Sequence, residues 1–370
     1  MNDNSQTSGQ GRLIALDAFR GFTIAAMIMV NYPGSWNYVY SPLLHVDWHG
    51  ITPTDLIFPF FIFIVGVSIV LAYSKRLEAG LPKKNMYKKI AVRSIKIFAV
   101  GIFLNLYPNF DLESIRIAGV LQRIAIVFGV CALIYLNSGW KAQAWSAALI
   151  LVFYWISMTV IPVPGLGTPM LEPGMNLAAW IDQQILPGRM WQGTWDPEGL
   201  YSTLPAIVTG ITGMLAGKLI ISGKSQEYIV IWLFSLGFIS TVSGEAWSWI
   251  FPINKNIWTS SYVLYTSGLA AMTLATAMFF IDILGYRKGT KFGVIYGANA
   301  ITAYVLAGIL SVVFYGVPLW GRSLNSHFVS GLSAVGFEPK LASLAYALIY
   351  VFIIFIPVYY LYKKKIFIKL

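Results

Sequence analysis

The sequence predicts an all-α fold, a polytopic transmembrane helical bundle of about ten spans with both termini in the cytoplasm. Three observations carry this prediction. Hydrophobic residues make up 57% of the 370 and charged residues only 11%, a balance outside the range of soluble globular domains. Apolar runs of about 20 residues, enough to cross a hydrocarbon core of roughly 30 Å as a helix, recur along the whole chain. The basic residues collect in alternate short loops, the signature of membrane topology. A helix satisfies its own backbone groups in lipid, so a helical bundle follows.

In chain order the expected spans are 13–32, 54–74, 87–106, 117–136, 141–161, 200–221, 227–248, 258–283, 292–316 and 341–362. One set of loops carries Lys75, Arg76, Lys83, Lys84, Lys88, Lys89, Lys141, Lys218, Lys224, Arg287, Lys288, Lys291 and the tail from Lys363 to Lys369. The opposite loops carry Arg116, Arg189, Lys255, Arg322 and Lys340 among eight or so acidic side chains. The first set therefore faces the cytoplasm and the loop 33–53 lies outside. The formal net charge of +11 belongs to this pattern and does not point to nucleic acid. Residues 1–11 are polar and read as a disordered tail, and 12–370 read as a single membrane domain. Segment 162–199, with Pro162, Pro164, Pro169, Pro173 and Pro187 and no hydrophobic period, reads as an outer loop or lid. Cys131, alone in an apolar run, allows no intrachain disulfide.

The densest polar chemistry lies between the first two spans, in NYPGSWNYVYSPLLHVDWHGITPTDLIFPFF. Thr52 reads as a helix N-cap, Pro53 as the first helical residue and Asp55 as the return half of a capping box. Capping accounts for Asp55 without a catalytic role. The free N–H groups of that helix start favour an anion or a developing oxyanion. WDPEGLYSTLP repeats the device before the sixth span, with Asp196 as N-cap, Pro197 at the first position and Glu198 in the first turn. His45 and His49 are four apart, but Pro42 and Gly50 oppose a continuous helix and no third ligand completes a zinc set. A lone imidazole at a membrane surface suits a general base or an acyl acceptor; a loop histidine bonded to a backbone carbonyl is the structural alternative. Trp36, Tyr38, Tyr40 and Trp48 share the loop, as interfacial anchors or as faces for a sugar ring.

Ionisable side chains within spans face partners or wet cavities. Asp17 and Arg20 are spaced to pair across one turn. Lys89, Arg93 and Lys96 line one face of the third span from its cytoplasmic end, suited to phosphates or to a structural network. Arg123 and Glu245 fall nearer the outer side, as an ion pair or as substrate contacts.

RLIALDAFRGFTIAAMIMVNYPG, LLHVDWHGITPTDLIFPFFIFIVGVS, IRIAGVLQRIAI, WDPEGLYSTLPAIVTG and FPINKNIWTSSYVLYTSG, in this order, together resemble the heparan-α-glucosaminide N-acetyltransferase family. The resemblance implies a transmembrane acetyltransferase that takes acetyl-CoA on the cytoplasmic side and acetylates a terminal glucosamine-type amine on the other. It also implies Asn31 and His45 as active-site residues, the latter through the pattern His-x-x-Trp-x-Gly. On this reading Lys89, Arg93, Lys96 and Arg20 hold the phosphates of CoA while its pantetheine arm carries the thioester outward. Trp48, His49, Asp55, Glu245 and Lys255 are then the expected acceptor contacts. His45 either deprotonates the amine or first takes the acetyl group itself, and Asn31 donates to the thioester oxygen. The expected partners are acetyl-CoA, the amino sugar, the bilayer and, as an open option, a second copy of the chain, with no metal and no nucleic acid. The expected location is a bacterial-type inner membrane. Two rivals remain: an amino-sugar transporter, against which no clearly paired broken helices are apparent, and an O-acyltransferase of a cell-envelope glycan.

Overall fold

The computed structural model describes residues 13–368. The tail expected over 1–11 lies outside the described residues. Apolar stretches close into helices where lipid leaves the backbone no other partner, and the described residues hold thirteen: α1 Ile14–Asn31, α2 Ile57–Glu78, α3 Lys83–Leu106, α4 Val120–Asn137, α5 Trp140–Val160, α6 Leu177–Ile185, α7 Thr203–Ile220, α8 Gln226–Ser248, α9 Ser260–Ala277, α10 Thr290–Ala298, α11 Ala300–Ser311, α12 Leu324–Ala334 and α13 Pro339–Lys363. The only strand-like pairings among the described residues are two isolated bridges. The protein is an all-helical membrane bundle.

Eight of the helical stretches are long and apolar enough to cross a membrane, and nine if the bent pair α10 and α11 is one span. Every expected span coincides with a helix or helix pair. The third, α3, stays outside this apolar set because Lys89, Arg93 and Lys96 interrupt it. The expected ninth span is not continuous: it breaks at Asn299, with an 81° bend between α10 and α11–Gly316. Asn299 occupies the break, donating to Ile366 O at 3.1 Å and accepting from Ile368 N at 2.9 Å. The described residues thus hold one broken span, where the sequence showed no clearly paired broken helices.

The interior packs on small residues. A Cβ on Gly66 would sit 2.0 Å from Gly210 O, and one on Gly213 would sit 2.0 Å from Phe63 O, so α2 and α7 touch backbone to backbone, as membrane helices do when small residues face each other. The main core runs through Ile28, Ile62, Phe128, Ile211, Trp258, Tyr262 and Tyr350. A separate apolar cluster joins Tyr154 and Met158 of α5, Val163 and Leu177 of the lid, and Phe251 and Ile257 of the α8–α9 connection. It seats the lid. Within the lid the sequence reading gave no helix, yet α6 forms there because Asn176 accepts from Ala179 N at 2.9 Å and Leu177, Ala178, Ala179 and Asp182 turn inward together.

Candidate active site

Three segments converge at the N-terminal ends of α2, α7 and α9: the loop 41–56, the segment 162–202 that includes the expected lid, and the connection 249–259. Gly50 N donates to Ile253 O at 2.8 Å, and Trp48 Nε1 donates to Leu171 O at 2.9 Å. Trp48 also meets Trp195 edge to face, with ring centroids 4.9 Å apart. Tyr262 of α9 donates to Asp55 O at 2.6 Å, fixing the turn that precedes α2.

That turn is a short 3₁₀ segment, Pro53–Leu56, with Thr52 as N-cap and the expected capping box. Asp55 divides its two oxygens between two tasks. Oδ2 accepts from Thr52 N at 3.0 Å, Thr52 Oγ1 at 3.0 Å and Val46 N at 3.2 Å. Oδ1 lies 2.7 Å from His45 Nδ1. The Asp55 side chain is 0% exposed, whereas the His45 side chain is 44% exposed. An ionised carboxylate only accepts, so Nδ1 carries the ring proton and Nε2 presents its lone pair. A buried carboxylate thereby orients an open imidazole. Asp55, expected among the acceptor contacts, lies beneath His45 instead of at the surface.

Lys255 completes the group. Its Nζ lies 2.9 Å from His45 Nδ1, 3.2 Å from Nε2 and 3.7 Å from Asp55 Oδ1, on a side chain 13% exposed. Burial pushes the Lys255 ammonium below the ordinary lysine range; the charges of Asp55 and Glu198 oppose the shift and that of Arg123 adds to it. His49 is exposed and pairs its Nδ1 with Asn254 Nδ2 at 3.3 Å. Asn31 ends α1 half-buried, at the head of the loop that leads to His45. Glu245 is exposed on α8, and among the described residues no hydrogen bond ties its side chain to His45.

Beside this group the second sequence device takes a different form. Helix α7 begins only at Thr203, so Asp196 is not its N-cap. Asp196 binds Arg116 through two hydrogen bonds of 2.7 and 2.6 Å and accepts from Trp191 N and Glu198 N. Arg116 also donates to Glu198 Oε2 at 2.7 Å. Burial opposes both charges, but each partner outweighs it, holding Arg116 above and Asp196 below its ordinary range. Arg123, 1% exposed, donates to Gly199 O and Ser202 Oγ and lies 4.9 Å over the Trp258 ring. Asp182 of α6, 2% exposed, accepts from Tyr201 N at 3.0 Å; burial raises its carboxyl to about 6. The role of Arg116 escaped the sequence reading, which counted it only as an outer-loop charge.

The basic residues expected at the donor side do not form one unit. Lys89, Arg93 and Lys96 are exposed along α3. The Arg93 guanidinium lies 4.6 Å over the Phe128 ring. Arg20 stands apart on α1, donating to Ser68 Oγ at 2.7 Å and to Asp17 Oδ1 at 3.3 Å, the one-turn pairing its spacing suggested. Among the described residues no cluster of three or more histidine, cysteine or carboxylate side chains could hold a metal ion.

A sequence model described as heparan-alpha-glucosaminide N-acetyltransferase, catalytic, matches residues 12–227. Two proteins named heparan-alpha-glucosaminide N-acetyltransferase are similar to the chain. That of Mus musculus is 29% identical over 431 aligned positions, covering 99% of the chain and 62% of the relative. That of Homo sapiens is 31% identical over 355, covering 80% and 52%. The chain thus spans between half and two thirds of the length of the curated relatives it matches.

Proposed function

The chain belongs to the heparan-alpha-glucosaminide N-acetyltransferase family, and on that premise we propose that it moves an acetyl group from cytoplasmic acetyl-CoA to the amine of a terminal glucosamine-type sugar on the outer face. The observation that carries this reading is the Asp55–His45 contact of 2.7 Å, which fixes the ring so that Nε2 of a 44% exposed imidazole carries the lone pair, 3.2 Å from Lys255 Nζ. Asp55 holds the ring and stabilises the imidazolium that forms when Nε2 takes a proton from the acceptor amine. The same Nε2 is the atom that would accept the acetyl group in a two-step transfer. Asn31 is assigned to the thioester oxygen, and Trp48 and His49, on the rim where the lid meets the loop, to the sugar.

On the donor side, the exposed row Lys89, Arg93 and Lys96 fits the phosphates of CoA by charge and spacing. Arg20 is committed to Ser68 and Asp17 and stands apart from that row. The proposal counts α3 as the tenth crossing beside the eight apolar spans and the bent pair, which brings both termini to the cytoplasm, in agreement with the basic loops. A bacterial-type inner membrane is the location that fits. The deciding experiment measures free CoA released by the purified protein against a panel of amino sugars and their N-acetylated forms. Release that requires the free amine and falls in His45→Ala supports the proposal. Release unaffected by His45→Ala removes His45 from the chemistry, and transport of glucosamine without CoA release replaces the enzyme reading with a transporter.

A further inference from the structure

The site proposed to acetylate a primary amine already contains one. Lys255 Nζ stands 2.9 and 3.2 Å from the two ring nitrogens of His45, on a side chain anchored in the connection 249–259 and only 13% exposed. Its neighbours come from four elements. His45 approaches from the outer loop, Asp55 from the turn before α2, Glu198 from the lid end before α7, and Arg123 from α4.

We propose that Lys255 is itself an acetyl acceptor of this site, capturing the acetyl group as a stable amide when no amino sugar is present. The inference rests on the acetyl-transfer reading above. An acyl carbon close enough to react at Nε2 of His45 is, by the 3.2 Å separation, also within contact range of Nζ, and such proximity converts a bimolecular reaction into an intramolecular one. The Nζ lone pair attacks the thioester carbonyl, the C–S bond breaks and the N–C bond forms. The proton leaving Nζ passes to Nε2 of His45 and from there to the departing thiolate, giving CoA and Nε-acetyl-lysine. No oxidant or reductant is needed.

Only the uncharged amine has that lone pair. Burial and the charge of Arg123 favour it, whereas Asp55 and Glu198 favour the ammonium. Capture therefore accelerates as pH rises, and the ion pair with Asp55 normally holds Lys255 back. Once acetylated, Lys255 no longer balances the buried carboxylate of Asp55, and its added acyl group crowds the imidazole. The site then loses activity through its own donor.

The test incubates the protein in lipid nanodiscs with acetyl-CoA alone, at about pH 6 and about pH 8, so that the uncharged fraction of the Lys255 amine rises between them, followed by peptide mass spectrometry. CoA release with glucosamine is measured on the same preparation. We expect one acetyl group on Lys255, gained at least about tenfold faster than on the exposed lysines 363–365, as intramolecular delivery requires. The reaction should speed up at the higher pH, slow with excess glucosamine and fall to the rate of the exposed lysines in His45→Ala. Lys255→Arg should not show the time-dependent inactivation that acetyl-CoA causes in the wild type. CoA release to glucosamine with Lys255 unmodified overturns this proposal and leaves the proposed reaction intact. Acetylated Lys255 without release to any amino sugar supports the proposal and removes the sugar as acceptor, and the absence of both overturns both. Labelling of Lys255 at the rate of the exposed lysines, unchanged in His45→Ala, also overturns it.

Discussion

TPTDLIF and WDPEGLYSTLP each set a proline and at least one acidic side chain just ahead of a membrane-spanning helix, and both look like helix caps. The first becomes a cap with a spare oxygen: Asp55 satisfies three donors with Oδ2 and has Oδ1 left for His45. The second is not a cap at all. Asp196 divides its oxygens among Arg116, Trp191 and Glu198, and α7 starts seven residues later, at Thr203. The partner decides the outcome. Arg116 is a permanent cation with a 13% exposed side chain and nothing to transfer, so its network is a closed clamp between the lid and the α3–α4 connection. His45 can gain or lose a proton and is 44% exposed, so the same kind of carboxylate orients an open imidazole, the group assigned to the proposed chemistry.

The largest expected effect separates the two directly. His45→Ala should lower CoA release about a thousandfold, within the usual range for losing a general base. Asp55→Asn should lower it by a similar order because an amide no longer stabilises the imidazolium, while the cap it forms with Thr52 largely survives. Neither change should move the melting temperature as far as a change at Arg116. Should Arg116→Ala prove the more damaging to turnover at equal protein folding, the division between reactive site and clamp would be mistaken.

Arg116→Ala leaves the carboxylates of Asp196 and Glu198 without their cation in a buried setting, where removing one partner typically costs about 3–5 kcal/mol. The expected outcome is a lower unfolding midpoint and faster hydrogen exchange across 186–202, with the pH dependence of any remaining activity unchanged. A shifted activity profile would instead connect Arg116 to the proton chemistry of His45.

Next in size is Asp182, which supports the lid from inside. Its carboxyl is raised to about 6 in the folded protein against about 3.9 when unfolded, so the folded state binds the proton more tightly. Stability from this group is greatest below about pH 4, falls as pH rises to about 6 and stays low above it. Asp182→Asn keeps an oxygen for Tyr201 N and removes the buried charge. It should therefore stabilise the lid by about 1–3 kcal/mol at neutral pH and by almost nothing near pH 4. The gain is kept modest because Arg123 then loses one compensating charge. Hydrogen exchange of the lid against pH checks this, and a gain of equal size at both pH values would point to packing.

Sequence revealed the bundle because hydropathy and backbone satisfaction in lipid are local properties, and every expected span was found as a helix or a broken pair. It also revealed the crowding around His45, and Thr52 as a cap. It could not show that Asp55 has an oxygen left over, because that depends on how the cap closes, nor that Lys255, more than two hundred positions away, arrives beside the same imidazole. Glu245 was singled out for its charge on α8 and stands exposed, and among the described residues no hydrogen bond joins its side chain to His45, Asp55 or Lys255. The break at Asn299 was invisible because its residues are as apolar as an unbroken span and its stabilising contact comes from the chain's far end.

The smallest effect tests whether the open site and the clamp communicate through the lid. Trp48 sits three residues after His45, and its Nε1–H reaches Leu171 O on the lid at 2.9 Å while its ring meets Trp195, next to Asp196. Trp48→Phe removes the hydrogen bond and keeps most of the apolar contact, a loss of about 1 kcal/mol. If this contact merely seats the lid, CoA release should change by no more than the fewfold that a slightly looser lid allows. If it carries the position of the clamp to His45, the acceptor KM should rise while the turnover with saturating sugar stays near the wild-type value, because the rim assigned to the sugar has moved and the Asp55–His45 pair has not. Measuring KM and kcat separately in Trp48→Phe and in Arg116→Ala decides between these, since a shared path requires both variants to change the same constant.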